Sequence, residues 1–186
     1  MTVLKWLLGG GTALVLLVLL VLLAGQLGLM QGRPPGGIGV HDGKLKPPSN
    51  ADNSVSSQAR AWPDHPRREA AHIEPLRLVG DGAATMSRLR EIVATMSGAR
   101  IATAREDYLY VQFTTPVMKY TDDAEFWLDR GAGVVQVRSA SRLGSHDFGV
   151  NRRRIEEIRS RLSEGAAAAL PGTAVNSGQA ASAATP

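Results

Sequence analysis

Residues 119–141 read KYTDDAEFWLDRGAGVVQVRSAS, and this stretch decides the fold. Two runs of alternating apolar and polar residues flank a break at Asp129-Arg130-Gly131-Ala132, which is the pattern of two antiparallel strands joined by a short loop. Successive side chains of a strand point to opposite faces, so Ala124, Phe126 and Leu128 share one face and Asp123, Glu125 and Trp127 the other. Placing Leu128 opposite Gly133 sets Phe126 against Val135 and Ala124 against Val137, which gathers the apolar residues. On the other face the same register sets Trp127 against Val134, Glu125 against Gln136 and Asp123 against Arg138. A one-residue slip would turn every side chain to the wrong face. The expectation is therefore this register, with an Asp123–Arg138 cross-strand ion pair.

Working outward, IEPLRLVG (73–80) reads as a strand, and Asp81 offers an N-cap to a helix whose Met86, Leu89, Ile92, Val93 and Met96 fall on one face. Gly98 stops that helix. RIATA and DYLYVQF then form a first hairpin turning around Arg105-Glu106, with Leu109, Val111 and Phe113 on one side, and Pro116 interrupts before the second hairpin. A last helix runs from about Asn151 to Leu162, burying Ile155, Ile158 and Leu162. The order β-α-β-β-β-β-α defines an α+β domain over residues 73–162: a mainly antiparallel sheet with two helices packed on one face, preceded by a single N-terminal transmembrane helix.

That helix is read from residues 6–30, WLLGGGTALVLLVLLVLLAGQLGLM, which carry no charge and exceed the roughly 20 apolar residues a bilayer crossing needs. A signal peptide has a shorter apolar region and a small-x-small cleavage site, for which Ala24-Gly25-Gln26 is a poor candidate. The reading is an uncleaved anchor after a short flank, residues 1–5. Lys5 on one side and Arg33 on the other orient it with the N-terminus inside and the domain outside the cytoplasm, a single-pass protein of the cytoplasmic membrane whose first partner is the lipid bilayer. Residues 31–72 are rich in Gly and Pro and read as a tether followed by an irregular arm, with Pro63 and Pro66 around Trp62. Residues 163–186 are small-residue low complexity and read as a disordered tail.

Composition removes several functions. The chain has 186 residues, enough for one domain with appendages, and 21 Lys+Arg nearly balance 17 Asp+Glu despite the net charge of +4. No run of five like charges occurs and only 5% of residues are aromatic, so nucleic acid is not an expected partner. Without cysteine there is no disulfide, thiolate zinc site or cysteine nucleophile.

Among candidate sites, Ser145-His146-Asp147 has the letters of a hydrolase triad, but adjacent residues cannot aim three side chains into one hydrogen-bond chain. Asp122, Asp123, Glu125, His146 and Asp147 offer oxygen and imidazole ligands for a metal, yet Asp122 and Asp123 point to opposite faces of their strand, and Arg138 and Arg142 compete for the carboxylates. His41, His65 and His72 carry no ligand spacing. Ser56, Ser57 and Gln58 either read a ligand or cap the arm's backbone, and Tyr108 and Tyr110 either line a pocket or cover the sheet. Arg152-Arg153-Arg154 raise the sharpest question. With Asn151 as N-cap they fill the first turn, where the helix dipole disfavours cations by about 0.3–1 kcal/mol each. Such a conflict implies internal partners, with Asp147 and Asp122 or Asp123 available, or an anionic ligand held by Arg138, Arg142, Arg152 and Arg154.

Three segments resemble a known family: Asn53-Ser54-Val55-Ser56-Ser57-Gln58, Asp122-Asp123-x-Glu125-Phe126, and Arg138-Ser139-Ala140-Ser141-Arg142-x-Gly144-x-x-Asp147-x-Gly149-x-Asn151-Arg152-x-Arg154. They are similar to the bacterial domain of unknown function 1499 over about residues 38–162. Asp52 stands where that family often has proline. The resemblance implies a small domain, often on membrane-anchored or exported proteins, and supplies no catalytic residue and no cofactor. The reading is thus a non-enzymatic binding or structural module of the cell envelope, with an ion-pair network or anion site at Asp122, Asp123, Arg138, Ser139, Ser141, Arg142, Asp147, Asn151, Arg152 and Arg154. Its partner would be an anionic ligand or an envelope protein. A hydrolase or metal-assisted enzyme is the alternative.

Overall fold

The structure is a computed structural model that describes residues 2–169. Helix α1 (Thr2–Gln26) is followed by turns and an extended arm, then β1 (Ser54–Ser56), a 3-10 turn (Ala59–Ala61), β2 (Leu76–Arg77) and α2 (Gly82–Ala94). Strands β3 (Ala99–Ala104), β4 (Tyr108–Thr114), β5 (Thr121–Asp129) and β6 (Val134–Ser141) form a meander, and α3 (Val150–Ala169) closes the fold. The sheet is antiparallel, in the order β1-β6-β5-β4-β3, with β2 also on β6. The expected α+β architecture is present, with α2 and α3 on one face.

Strands β1 and β2 occupy two lengths of the same β6 edge, β1 against Arg138–Ala140 and β2 against Val134–Val135. Between them the chain leaves the edge. Ser57 fills the break: its amide donates to the Val137 carbonyl, and its hydroxyl accepts from the Val137 amide at 2.8 Å. The hydroxyl therefore supplies an acceptor that a continuous strand would have provided from its backbone. Ser56 Oγ accepts from the Gln58 amide, and the Gln58 side chain binds Leu45 N and Gly43 O, so this trio caps the arm's backbone.

The core between sheet and helices is built from the in-phase residues of each element. Leu109, Val111 and Phe113 of β4, Ala124, Phe126 and Leu128 of β5, and Val135 and Val137 of β6 meet Met86, Leu89, Ile92, Val93, Ile155, Ile158 and Leu162. The Asp81 carboxylate caps α2 by accepting from Ala84 N. The other sheet face is covered as well. Leu45 packs on Tyr108 and Tyr110, with Ile38, Val40 and Trp127 beside them, so residues 38–47 form a lid over that face. Polar in-phase residues such as Asp123 and Glu125 are consequently buried. The tether-and-arm reading of 31–72 did not give that segment this role.

Two expectations are corrected. The second hairpin pairs Leu128 with Val135, Phe126 with Val137, Glu125 with Arg138 and Asp123 with Ala140, two residues away from the expected register. The loop is Arg130–Gly133, closed by Gly133 N on Asp129 O with Gly133 at φ +66, while Asp129 Oδ1 accepts from Ala132 N. Glycine takes that left-handed conformation without the Cβ penalty, which favours closure after Gly133 instead of before it. A two-residue shift keeps every side chain on its face, so apolar matching alone could not distinguish the registers. The Asp123–Arg138 pair is replaced by Glu125 opposite Arg138. Second, α3 continues to Ala169, because Glu164 and the alanines after it are strong helix formers. The tail reading thus begins seven residues early, and its part from residue 170 lies outside the described residues.

Helix α1 runs through Gly9-Gly10-Gly11 and is exposed over most of its length, with Gly25 buried near its C-terminal end. It is long and apolar enough to cross a membrane or to serve as a signal sequence.

Candidate functional site

The arginine-rich motif divides between the two faces of the sheet. On the helix face, Asn151 is fully buried at the start of α3 and is the hub. Its Nδ2 donates to Asn53 O, Ser141 Oγ and Asp147 Oδ2, at 3.2, 3.0 and 2.9 Å, and its Oδ1 accepts from Ser139 Oγ and Arg154 Nη1. Arg154 also directs Nη1 to Ser139 Oγ and Nη2 to Asp122 Oδ2 at 2.7 Å, and lies over the Phe113 ring. Residues from β1's approach, β5, β6 and α3 are thus fastened at one point.

Asn151 does not itself cap α3. Asp147 does: Oδ1 accepts from Gly149 N and Oδ2 from Asn151 N, both at 2.9 Å. Burial alone would raise the Asp147 carboxyl, but those two amides and the Asn151 side chain hold it below its ordinary value. Its charge sits at the positive end of the helix dipole, offsetting the neighbouring cations.

On the lid face, Arg142 grips Asp123 through two bonds of 2.8 Å, and Tyr110 Oη donates to the same carboxylate. The bond to Asp123 raises the Arg142 guanidinium above its ordinary value, against the opposing effect of burial. Arg138 is nearly buried, with Nε on Pro47 O at 3.1 Å and Nη1 3.6 Å from Glu125 Oε2. Burial lowers its guanidinium despite the attraction of Glu125. Glu125 Oε1 accepts from Tyr108 Oη and Gly39 N, both at 2.8 Å, which ties the lid to the sheet.

The other arginines of α3 are also engaged. Arg152 Nη2 donates to Ala70 O and His72 O, Arg153 Nη1 to Phe148 O, and Arg159 to Glu74 O and Pro75 O. Asp122, Ser139, Ser141, Asp147, Asn151 and Arg154 therefore meet, Asp123 and Arg142 meet on the opposite face beside Arg138, and Arg152 stands apart on the arm. Sequence reasoning left Glu125, Tyr108, Asn53 and the lid out of the network. Glu125 was legible as the in-phase neighbour of Asp123, whereas the lid's polar contacts to the sheet are made by its backbone atoms and leave no signature.

Ser145-His146-Asp147 forms no triad. His146 Nδ1 lies 3.2 Å from Asp52 Oδ2, and its ring meets Phe148 edge-on, while the Asp147 oxygens are taken by α3. Among the described residues no three His, Asp or Glu side chains are grouped to hold a metal ion.

Fold and site together define a small α+β domain behind an N-terminal apolar helix, held by a buried arginine–carboxylate network. The family described as Protein of unknown function (DUF1499) matches residues 44–162, and the chain belongs to that family. No curated protein and no solved structure matches the chain.

Proposed function

We propose that this chain is a non-enzymatic module tethered by α1 to the cytoplasmic membrane, with its domain outside the cytoplasm, and that the arginine-rich motif fastens the fold. Working contacts with an envelope partner are then made by other surfaces. The observation that carries this reading is the inward engagement of both terminal nitrogens of Arg154: Nη1 on Asn151 and Ser139, Nη2 on Asp122, all within the domain. Arg142 likewise spends both prongs on Asp123. An anion site needs donors aimed at open space, and these are aimed at buried carboxylates and carbonyls.

The test is thermal unfolding of the full chain in detergent micelles, with inorganic phosphate, citrate and divalent metal ions added in turn. A ligand at 100 times its Kd would stabilise the fold by about 2.7 kcal/mol. Unchanged midpoints are expected. A saturable rise with phosphate or citrate would restore the anion site, and one with a divalent metal would favour the metal-assisted alternative. Membrane attachment is checked separately, by whether the chain stays with the membranes after alkaline carbonate washing.

A further inference from the structure

Outside residues 2–30, the large apolar side chains that stand exposed among the described residues are Val117, Tyr120, Leu143, Phe148 and Val150. All five lie in two loops, β4–β5 (Thr115–Tyr120) and β6–α3 (Arg142–Gly149), or directly after them. Antiparallel topology puts both loops at one end of the sheet. The opposite end carries Arg105-Glu106-Asp107 and Arg130-Gly131-Ala132-Gly133, crossed by an Arg130–Glu106 ion pair. The exposed large apolar side chains gather at one end of the domain, beside Lys119, His146 and Asp147, and the other end is charged.

The apolar end is also where α1 arrives. Gln26, the last helical residue, donates its Nε2 to Pro116 O and Val117 O. Gly25 packs so closely that a Cβ there would sit 3.1 Å from Met118 Cα, and one on Gly32 would sit 2.8 Å from Arg142 Cβ. The chain leaving the helix thus crosses both apolar loops. A 25-residue helix is roughly 37 Å long at 1.5 Å per residue, against a hydrocarbon core of about 30 Å, so a helix that spans places Gln26 in the interfacial layer.

We propose that this end of the domain is a membrane-contact face: Phe148, Leu143, Val150, Val117 and Tyr120 enter the interfacial layer of the same bilayer that α1 crosses. The proposal rests on the anchor reading of α1. Phe148 is 78% exposed and sits at φ +53, a conformation disfavoured for a bulky residue, yet Arg153 Nη1 binds its carbonyl and Asp147 holds the residues around it. The loop is built to hold an apolar ring outward. Between the two loops lies a cavity of about 560 Å³ whose walls include Tyr120, Leu143, Phe148 and Val150 together with Asp122, His146 and Asp147. In water such a patch is a liability, whereas at a bilayer it is the interfacial surface that aromatic and aliphatic side chains make.

The test uses the absence of native cysteine. The full chain is reconstituted in vesicles of phosphatidylethanolamine and phosphatidylglycerol and carries one nitroxide label, at F148C, L143C, A132C in the charged end, or L16C in α1. Accessibility to oxygen, which concentrates in hydrocarbon, is compared with accessibility to a water-soluble nickel chelate. The expected result is an oxygen-to-nickel ratio for F148C and L143C near that of L16C and well above that of A132C. If F148C and L143C match A132C while L16C is in hydrocarbon, the contact face is wrong and the anchor reading stands. If L16C itself is open to nickel, both fall. Labels at Phe148 shielded from both reagents and broadened by one another would place a second copy on this face and overturn the membrane assignment.

Discussion

Arg142 meets Asp123 in a two-pronged pair, Nε to Oδ2 and Nη2 to Oδ1 at 2.8 Å each, with side chains 6% and 2% exposed. Truncating one partner of such a pair leaves a buried charge without its counterion, at a cost of about 3–5 kcal/mol. Arg142→Ala is expected to lower the stability of the domain by that amount in urea unfolding of the full chain. Arg142→Lys keeps the charge but not the fork, and should fall between the two. A loss under about 1 kcal/mol for the alanine variant, the range of exposed pairs, would mean that the grip contributes little.

The neighbouring pair behaves differently. Arg138 Nη1 and Glu125 Oε2 are buried, face each other at 3.6 Å and have no hydrogen-bond partner. Desolvation of both ions is therefore only partly offset by attraction, and joint replacement by uncharged groups can be neutral or stabilising. Glu125→Gln with Arg138→Met should be more stable than either single variant, with a coupling energy of about 0.5–3 kcal/mol in the cycle. Additive single effects would show that the two charges do not stabilise one another.

Tyr108 links this pair to alkaline stability. Burial, with the adjacent Glu125 carboxylate, pushes its phenol above the ordinary value. Unfolded chain loses that proton near pH 10 whereas folded chain retains it, so the unfolded state binds fewer protons and stability falls as pH rises above about 10. Below that value the contribution is intact. Tyr108→Phe should flatten the decline between pH 9.5 and 11.5, followed by urea midpoints. An unchanged slope would assign the alkaline loss to other groups.

How much of this was readable beforehand depended on whether side-chain periodicity or backbone contacts carried the information. The helix-face core, from Leu109 to Leu162, follows from periods of 2 and 3.6 and was legible, as was the Asp81 cap. The faces of β5 were legible too, but not their register, because Gly133's left-handed turn and a two-residue shift are invisible to face matching. The arginine conflict in α3 left internal partners and an anionic ligand both open, and Asp122, on which Arg154 Nη2 stands, was one of the internal partners considered. The lid was not legible: Leu45 N on Gln58, Gly39 N on Glu125 and Pro47 O on Arg138 are backbone contacts that any sequence could make. Asp147 was seen as a counterion, but its role as the cap depended on a loop conformation at Phe148 and Gly149 that sequence spacing does not reveal.

That cap gives the last prediction. Asp147 accepts the amides of Gly149 and Asn151 and stands before three arginines, so its carboxylate both satisfies the helix end and offsets their charge. Its proton affinity is held below the ordinary value in the folded state, so the unfolded state binds more protons at acid pH. The stabilisation is complete above the unfolded value near 3.9 and disappears as pH falls through the lower folded value. Asp147→Asn keeps one acceptor and loses the charge, and at pH 7 should cost about 0.5–2 kcal/mol, the range for losing an N-cap. The gap between wild type and variant should hold from pH 7 to 5 and close below pH 4, read from urea midpoints. A gap of constant size down to pH 3 would mean that Asp147 acts through shape alone and that the first-turn arginines find their compensation elsewhere.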